Sequence, residues 1–455
     1  MPYDPLTHQA LTFHDARERF IDGTDTPSDY LARCLRTIEQ REPQVKGWVV
    51  MNEAGALEAA RASTQRYRDG APLSSIDGMP VGIKDLIETK DMPTQMGSAA
   101  FAGSFPKNDS AVVRALREAG AVVLGKTVTT ALGFLDPGPT TNAFDAARTP
   151  GGSSSGSGAV VGANMVPLAI GSQLVGSVLR PASYNGNWAL KPTFGGINRG
   201  ERLGYSQSHV GVHANCAEDM WRATIEIVQR AGGDPGHPGV YGTLQTPEPV
   251  RPRRLVAFES EGWVRVDASA REAFESAMDV LASHGVEIIR RRDHALVEWL
   301  EKTIDDAAAK SLRLISWEQR WSLANLVENH ADMLGPSLLR QLESGRTMTL
   351  TAFRQLLLER DHARQQLKAL APECDALISL TASGAAPLIE ALRGTRYATG
   401  DVSLACVSSW LGAPAVNVPV LQAEGMPLGL QIMGQWHDDA KITGIARWVE
   451  HTLRG

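Results

Sequence analysis

The chain has 455 residues, 43% of them hydrophobic, so it can bury a large core, and length alone allows two or three domains. Forty-five Lys and Arg against 51 Asp and Glu give a formal net charge of −6, which offers no support for nucleic-acid binding. No apolar run is long enough to span a bilayer, and Met1-Pro2-Tyr3-Asp4 opens a segment without the basic start and apolar core of a signal peptide. A soluble cytoplasmic protein is expected.

Taken in chain order, residues 28–42 carry Leu31, Cys34, Leu35 and Ile38 at helical spacing behind a Pro-Ser start, and residues 53–67 read as a second helix. Met79-Pro80-Val81-Gly82-Ile83 reads as a strand running inward, with Lys84 at its end. Asp85 follows, and because successive strand side chains face opposite ways, it is expected to point away from Lys84. A helix over residues 111–119 leads into an apolar strand opening at Ala121. This alternation predicts an α/β sheet covered by helices. Residues 267–370 read differently, as mainly helical, with Asp267 a candidate cap and no strand pattern interrupting them.

Two serine-glycine segments stand between these regions. The first is Gly151-Gly152-Ser153-Ser154-Ser155-Gly156-Ser157-Gly158, and the second is Gly176-Ser177-Val178-Leu179-Arg180-Pro181. A serine hydroxyl attacks a carbonyl only when a neighbouring group takes its proton. Lysine serves as that base only when neutral, and burial at the end of an inward strand lowers its pKa. Lys84 with two serine loops therefore offers a base, a hydroxyl nucleophile and a hydroxyl relay. Glycine-rich turns also let successive N–H groups converge on one oxygen. Leu174, Val175, Gly176 and Ser177 would supply such an oxyanion hole.

The trio resembles the amidase signature family, in which a Gly-Gly-Ser-Ser-Gly-Gly loop carries a relay serine in an unusual cis peptide and a later Gly-Gly-Ser carries the nucleophile. The resemblance implies that Ser153 is the relay, Ser177 the nucleophile and Lys84 the base. It extends over most of the chain, through Gly120-Ala121-Val122-Val123-Leu124-Gly125-Lys126-Thr127, Gly186-Asn187-Trp188-Ala189-Leu190-Lys191-Pro192-Thr193, Gly412-Ala413-Pro414-Ala415 and Gly425-Met426-Pro427-Leu428-Gly429-Leu430-Gln431. The implied fold is α/β, a single amidase domain over residues 1–455. Its large mixed central sheet is flanked by helices, and a variable helix-rich section at about 267–370 lines part of the substrate pocket. The implied activity is hydrolysis of C–N bonds in a small-molecule amide or carbamate through an acyl-enzyme, with no cofactor and no metal. The alternative is a glutamine amidotransferase subunit that passes ammonia to a partner. A catalytically dead binding protein is the third reading, disfavoured by retention of all three residues. Homo-oligomerisation is left open.

This chain departs from the commonest family pattern at several points. Gln173 stands where an acid is usual, Val175 where glycine is usual, Ala131 where many relatives carry glutamate, and Arg180 lies one place later than the usual arginine. Leu174, Val175 and Leu179, with Phe134-Leu135 upstream, lead us to expect an apolar or aryl substrate.

Competing motifs are weaker. Gly120 to Thr127 formally fits G-x-x-x-x-G-K-T, but its interior is a β-branched apolar run that reads as a buried strand, which leaves Lys126 a rival base or a structural strand-end lysine. Gly156-Ser157-Gly158 is followed by Gly162, one place beyond a dinucleotide-binding pattern. His209 and His213 stand four apart around a poor helix, without the glutamate of a zinc-protease motif, and are read as structural or surface residues. Cys34, Cys216, Cys374 and Cys406 are too scattered for a disulfide framework or zinc cluster.

Overall fold

The computed structural model describes residues 3–200 and 204–455. Its strands are β1 (Trp48–Met51), β2 (Pro80–Lys84), β3 (Val122–Thr127), β4 (Leu168–Gln173), β5 (Trp188–Lys191), β6 (His209–Ala214), β7 (Arg254–Ala257), β8 (Glu287–Ile289), β9 (Ala376–Leu380), β10 (Ala415–Ala423) and β11 (Met426–Met433). They form one mixed sheet in the order β1-β3-β2-β4-β6-β5-β10-β11-β9-β7-β8. The fold is mixed α/β, with helices flanking this sheet, as the sequence predicts.

Three strands position the site. β2, β3 and β4 are buried along their whole length, and β2 pairs in parallel with both neighbours. Continuous apolar runs suit such strands, because both faces of a parallel sheet are covered. Their carboxyl ends, Lys84, Thr127 and Gln173, share one edge of the sheet, and chemistry in open α/β sheets gathers at that edge. The second half of the first serine segment opens the helix Ser155–Gly162, which is wholly buried. At its first turn a Cβ on Gly156 would collide with the backbone of Gly47 and Val128, so only glycine lets the helix lie this close to the end of β3.

The predicted helices are present as Pro27–Val45, Glu53–Arg68 and Ala111–Glu118. The first begins earlier than predicted, at a proline whose missing N–H costs nothing there, with the Thr26 hydroxyl accepting from the Asp29 N–H at 3.1 Å. It also continues past Pro43 to Val45.

Residues 267–370 are mainly helical, as Ala268–Ser283, Ala295–Thr303, Ala307–His330, Pro336–Thr347 and Leu350–Ala369. Two expectations fail here. β8 interrupts the section, because a three-residue edge strand paired in parallel with β7 is too short to set a readable period. Asp267 occupies the cap position but its side chain accepts no helix N–H, since its carboxylate lies against Gly384 instead. No helix among the described residues is long and apolar enough to cross a membrane.

Candidate active site

Lys84 reaches the end of β2 fully buried, and its Nζ lies 2.7 Å from Ser153 Oγ, 2.9 Å from Ser154 Oγ and 3.2 Å from the Ser172 carbonyl oxygen. Among the described residues no carboxylate contacts it, and burial pulls its pKa well below the ordinary lysine value. Proton accounting then fixes the direction of each bond. The Ser154 hydroxyl donates to the Ser172 carbonyl at 3.1 Å and accepts from the Ser172 N–H at 3.2 Å. A neutral Lys84 spends its two N–H groups on Ser154 Oγ and the Ser172 carbonyl, both of which can accept. Its lone pair is left facing Ser153, whose hydroxyl can donate to it.

Asp85 turns to the other side, as predicted. It pairs with Lys126 Nζ at 3.2 Å and accepts the Gln95 N–H at 3.1 Å, while Lys126 also donates to Thr94 Oγ1 at 2.6 Å. Burial lowers Lys126 and raises Asp85, and each partner opposes the other's shift. Lys126 is thus a structural lysine, outside the serine cluster.

The Gly152–Ser153 peptide is cis. Arg180, itself buried, donates to the Gly152 carbonyl at 2.6 Å and to Thr399 Oγ1 at 2.9 Å, so the arginine displaced by one position still grips the first serine loop. The second loop is joined to the first where the Ser154 N–H donates to the Ser177 carbonyl at 3.2 Å. Gln173 organises the turn after Ser177: its side-chain carbonyl accepts from the N–H groups of Val178 at 2.9 Å and Leu179 at 3.1 Å, and its amide donates to Ser409 Oγ at 2.9 Å. An amide thus performs the acceptor role of an acid there and adds a donor. Among the described residues the N–H groups of Leu174, Val175, Gly176 and Ser177 have no acceptor, and the Ser177 hydroxyl has no hydrogen-bond partner. Four free donors in a turn beside an uncommitted hydroxyl are suited to a developing oxyanion.

A cavity of about 270 Å³ opens onto Ser153. Its walls include Leu86, Met96, Phe101, Leu132, Phe134 and Leu174, and no Asp, Glu, Lys or Arg among the described residues lines it. Met96 and Leu132 adopt positive φ of 56° and 50°, and the Leu132 N–H donates to the Met96 carbonyl at 2.8 Å. Non-glycine residues in that region each cost about 1–3 kcal/mol and often mark functional sites. The helix Ala307–His330 closes another wall through Gln319, Ser322, Leu323 and Leu326.

Several sequence expectations meet this geometry directly. Phe134 and Leu174 line the cavity, whereas Val175 and Leu179 are absent from its lining and are buried in the hydrophobic core, Val175 in the cluster that also holds Phe134 and Leu179 in the one that holds Val256 and Phe258. Leu135 borders a separate surface groove with Arg313 and Arg340. His209 and His213 lie on a strand and are fully enclosed, so the surface alternative falls; burial lowers His213 to about 3. No group of three or more His, Cys, Asp or Glu placed to hold a metal occurs among the described residues. Sequence reasoning missed Ser154, Gln173 and Arg180 as organisers, although all three lie within or beside the serine motifs.

Comparison with known proteins agrees with this architecture. A glutamyl-tRNA(Gln) amidotransferase subunit from Salinispora arenicola is 28% identical over 468 residues, covering 95% of each chain. Among solved structures, an amidase superposes with a TM-score of 0.84 at 25% identity, over 97% of this chain and 99% of its own. The peptide amidase of Stenotrophomonas maltophilia gives 0.81 at 24% identity, over 99% and 98%, which shows a shared fold. Residues 29–442 match the family model described as Amidase, and the chain belongs to that family, the amidase signature enzymes.

Proposed function

We propose that this protein hydrolyses C–N bonds of small uncharged amides or carbamates through Ser177, Ser153 and Lys84. Ser177 Oγ attacks the carbonyl carbon, its proton passes to Ser153, and the Ser153 proton passes to Lys84. The N–H groups of residues 174–177 take the charge that develops on the carbonyl oxygen. Collapse of the tetrahedral intermediate breaks the C–N bond, and the relay returns a proton to the departing amine. Water then repeats the sequence in place of Ser177 and frees the acid. The observation that carries this reading is the buried Lys84 Nζ 2.7 Å from Ser153 Oγ, among partners that would let a neutral amine turn its lone pair towards Ser153.

The curated relative in Salinispora arenicola favours a second reading, an amidotransferase subunit fed by glutamine. Glutamine carries an ammonium and a carboxylate, and burying either without a counter-charge is costly. Among the described residues no charged side chain lines the cavity beside Ser153, which supports the stand-alone hydrolase. We read residues 1–455 as one domain, a cytoplasmic enzyme with no nucleic-acid partner. Steady-state assays of the isolated chain on phenylacetamide, an anilide, an aryl carbamate and glutamine test the choice. The hydrolase reading expects kcat/KM for the aryl substrates to exceed that for glutamine by tenfold or more, since each buried methylene contributes about 0.8 kcal/mol. Equal or better turnover of glutamine would revive the amidotransferase.

A further inference from the structure

The turn from Leu174 to Ser177 is fastened at each end by a glutamine. Beyond Ser177, Gln173 accepts from the N–H groups of Val178 and Leu179. At the start of the turn, Gln207 donates from Nε2 to the Leu174 carbonyl at 2.9 Å. The register of the sheet explains why a side chain is needed there. β4 and β6 pair antiparallel as far as Gln173 opposite His209, and past that point no main-chain N–H among the described residues reaches the Leu174 carbonyl. Gln207 is completely buried and does not line the cavity, although the nearby Tyr205 and Ser208 do. It therefore holds the turn from behind, away from the space a substrate would fill.

In a trans peptide unit the carbonyl and the following N–H point in opposite directions, and Leu174–Val175 is trans. A bond that fixes the Leu174 carbonyl thus fixes the direction of the Val175 N–H, one of the four donors without an acceptor among the described residues. The Val175 side chain is itself anchored in the hydrophobic core, so this peptide plane is held through both its carbonyl and the side chain that follows. Rotating it would break a buried hydrogen bond and withdraw an apolar side chain from its packing. A donor on the carbonyl also polarises the peptide unit and strengthens its N–H as a donor.

We infer that Gln207 is a positioning residue that aims the Val175 N–H at the oxyanion formed when Ser177 attacks. The inference rests on the hydrolase reading of this site and deepens it by naming the distant side chain that sets an oxyanion donor.

Gln207→Met keeps the length of the side chain and removes its donor. Wild type and Gln207→Met are compared on phenylacetamide, with enzyme concentration corrected to the fraction that a fluorophosphonate labels. The variant should lose about 10–100-fold in kcat while KM stays within about twofold, because the donor matters most where charge develops. The trifluoromethyl ketone analogue of phenylacetamide forms a tetrahedral adduct with a negatively charged oxygen on Ser177, and its affinity should fall by about the same factor. Calorimetric binding of phenylacetamide itself to Ser177→Ala and to Ser177→Ala/Gln207→Met should agree within about twofold. A role confined to holding the fold together would lower the labelled fraction, or weaken planar amide and adduct equally. Either that pattern or an unchanged kcat overturns the inference. If no aryl amide is turned over, the comparison is read from the rate of fluorophosphonate labelling. Slower labelling of Ser177 in Gln207→Met upholds the inference while refuting the hydrolase reading, whereas an equal rate, or an adduct on another serine, refutes both. If Gln207→Met does not fold, Gln207→Leu supplies the same comparison.

Discussion

Lys84 and Lys126 stand at the ends of two adjacent parallel strands, both sealed from solvent, yet they are built for opposite purposes. In the register of β2 against β3, Ile83 faces Lys126 and Lys84 faces Thr127, so the two amines emerge one residue out of step. Lys126 meets the Asp85 carboxylate, while Lys84 meets two hydroxyls and a carbonyl. Equal burial with unequal pairing gives one lysine a counter-charge that opposes its loss of a proton and leaves the other without one. The carboxylate is adjacent in sequence to the lysine it does not serve. Strand alternation alone carries it to the other side of the sheet.

The largest effect that would break this comparison is on turnover. Lys84→Met should lower kcat/KM by about 10²–10⁴-fold, and steady-state assays beside Lys126→Met should show the loss confined to the first variant among correctly folded proteins. The pH profile sharpens the point. Protonated Lys84 accepts no proton, so kcat/KM should rise with pH through its pKa and level off. Burial should place that plateau well below the ordinary lysine value.

Lys126→Met should instead cost stability, about 3–5 kcal/mol, because Asp85 is left as a buried charge without its partner. Asp85 is already raised by burial, and a group raised in the folded state stabilises it below that pKa and less above it. The destabilisation should therefore grow as pH rises and shrink as Asp85 takes up a proton. Chemical denaturation across that range measures it, and a loss that shrinks as pH rises would contradict the assignment.

A smaller effect is expected at Gln173, which fastens the nucleophile turn. Gln173→Leu removes the acceptor for the N–H groups of Val178 and Leu179 and should cost about 1–3 kcal/mol of stability, with lower kcat/KM. Gln173→Glu restores the acceptor while losing the bond to Ser409, so thermal and kinetic measurements should find it milder.

The legible part of the molecule is the part where local pattern and tertiary role coincide. β2 and β3 are apolar runs because they lie inside the sheet, and the serine loops stand out because turns packed this tightly against strand ends demand glycine. That Asp85 turns away from Lys84 was readable from alternation along one strand, but its pairing with Lys126 was not. What could not be read depends on partners far away in sequence. Val175 and Leu179 share the apolar character of Leu174, but only packing decides that they enter the core while Leu174 faces the cavity. β8 exists because β7 offers it an edge.

The central claim is that the hydroxyl of Ser177 attacks and that Lys84 drives it through Ser153. Its most direct test is peptide mass spectrometry after treatment with a fluorophosphonate, on wild type and on Ser177→Ala, with turnover of an aryl amide followed in parallel. The account predicts one adduct, on Ser177, with labelling and turnover both lost in Ser177→Ala. An adduct on another serine, with Ser177→Ala still active, would contradict it.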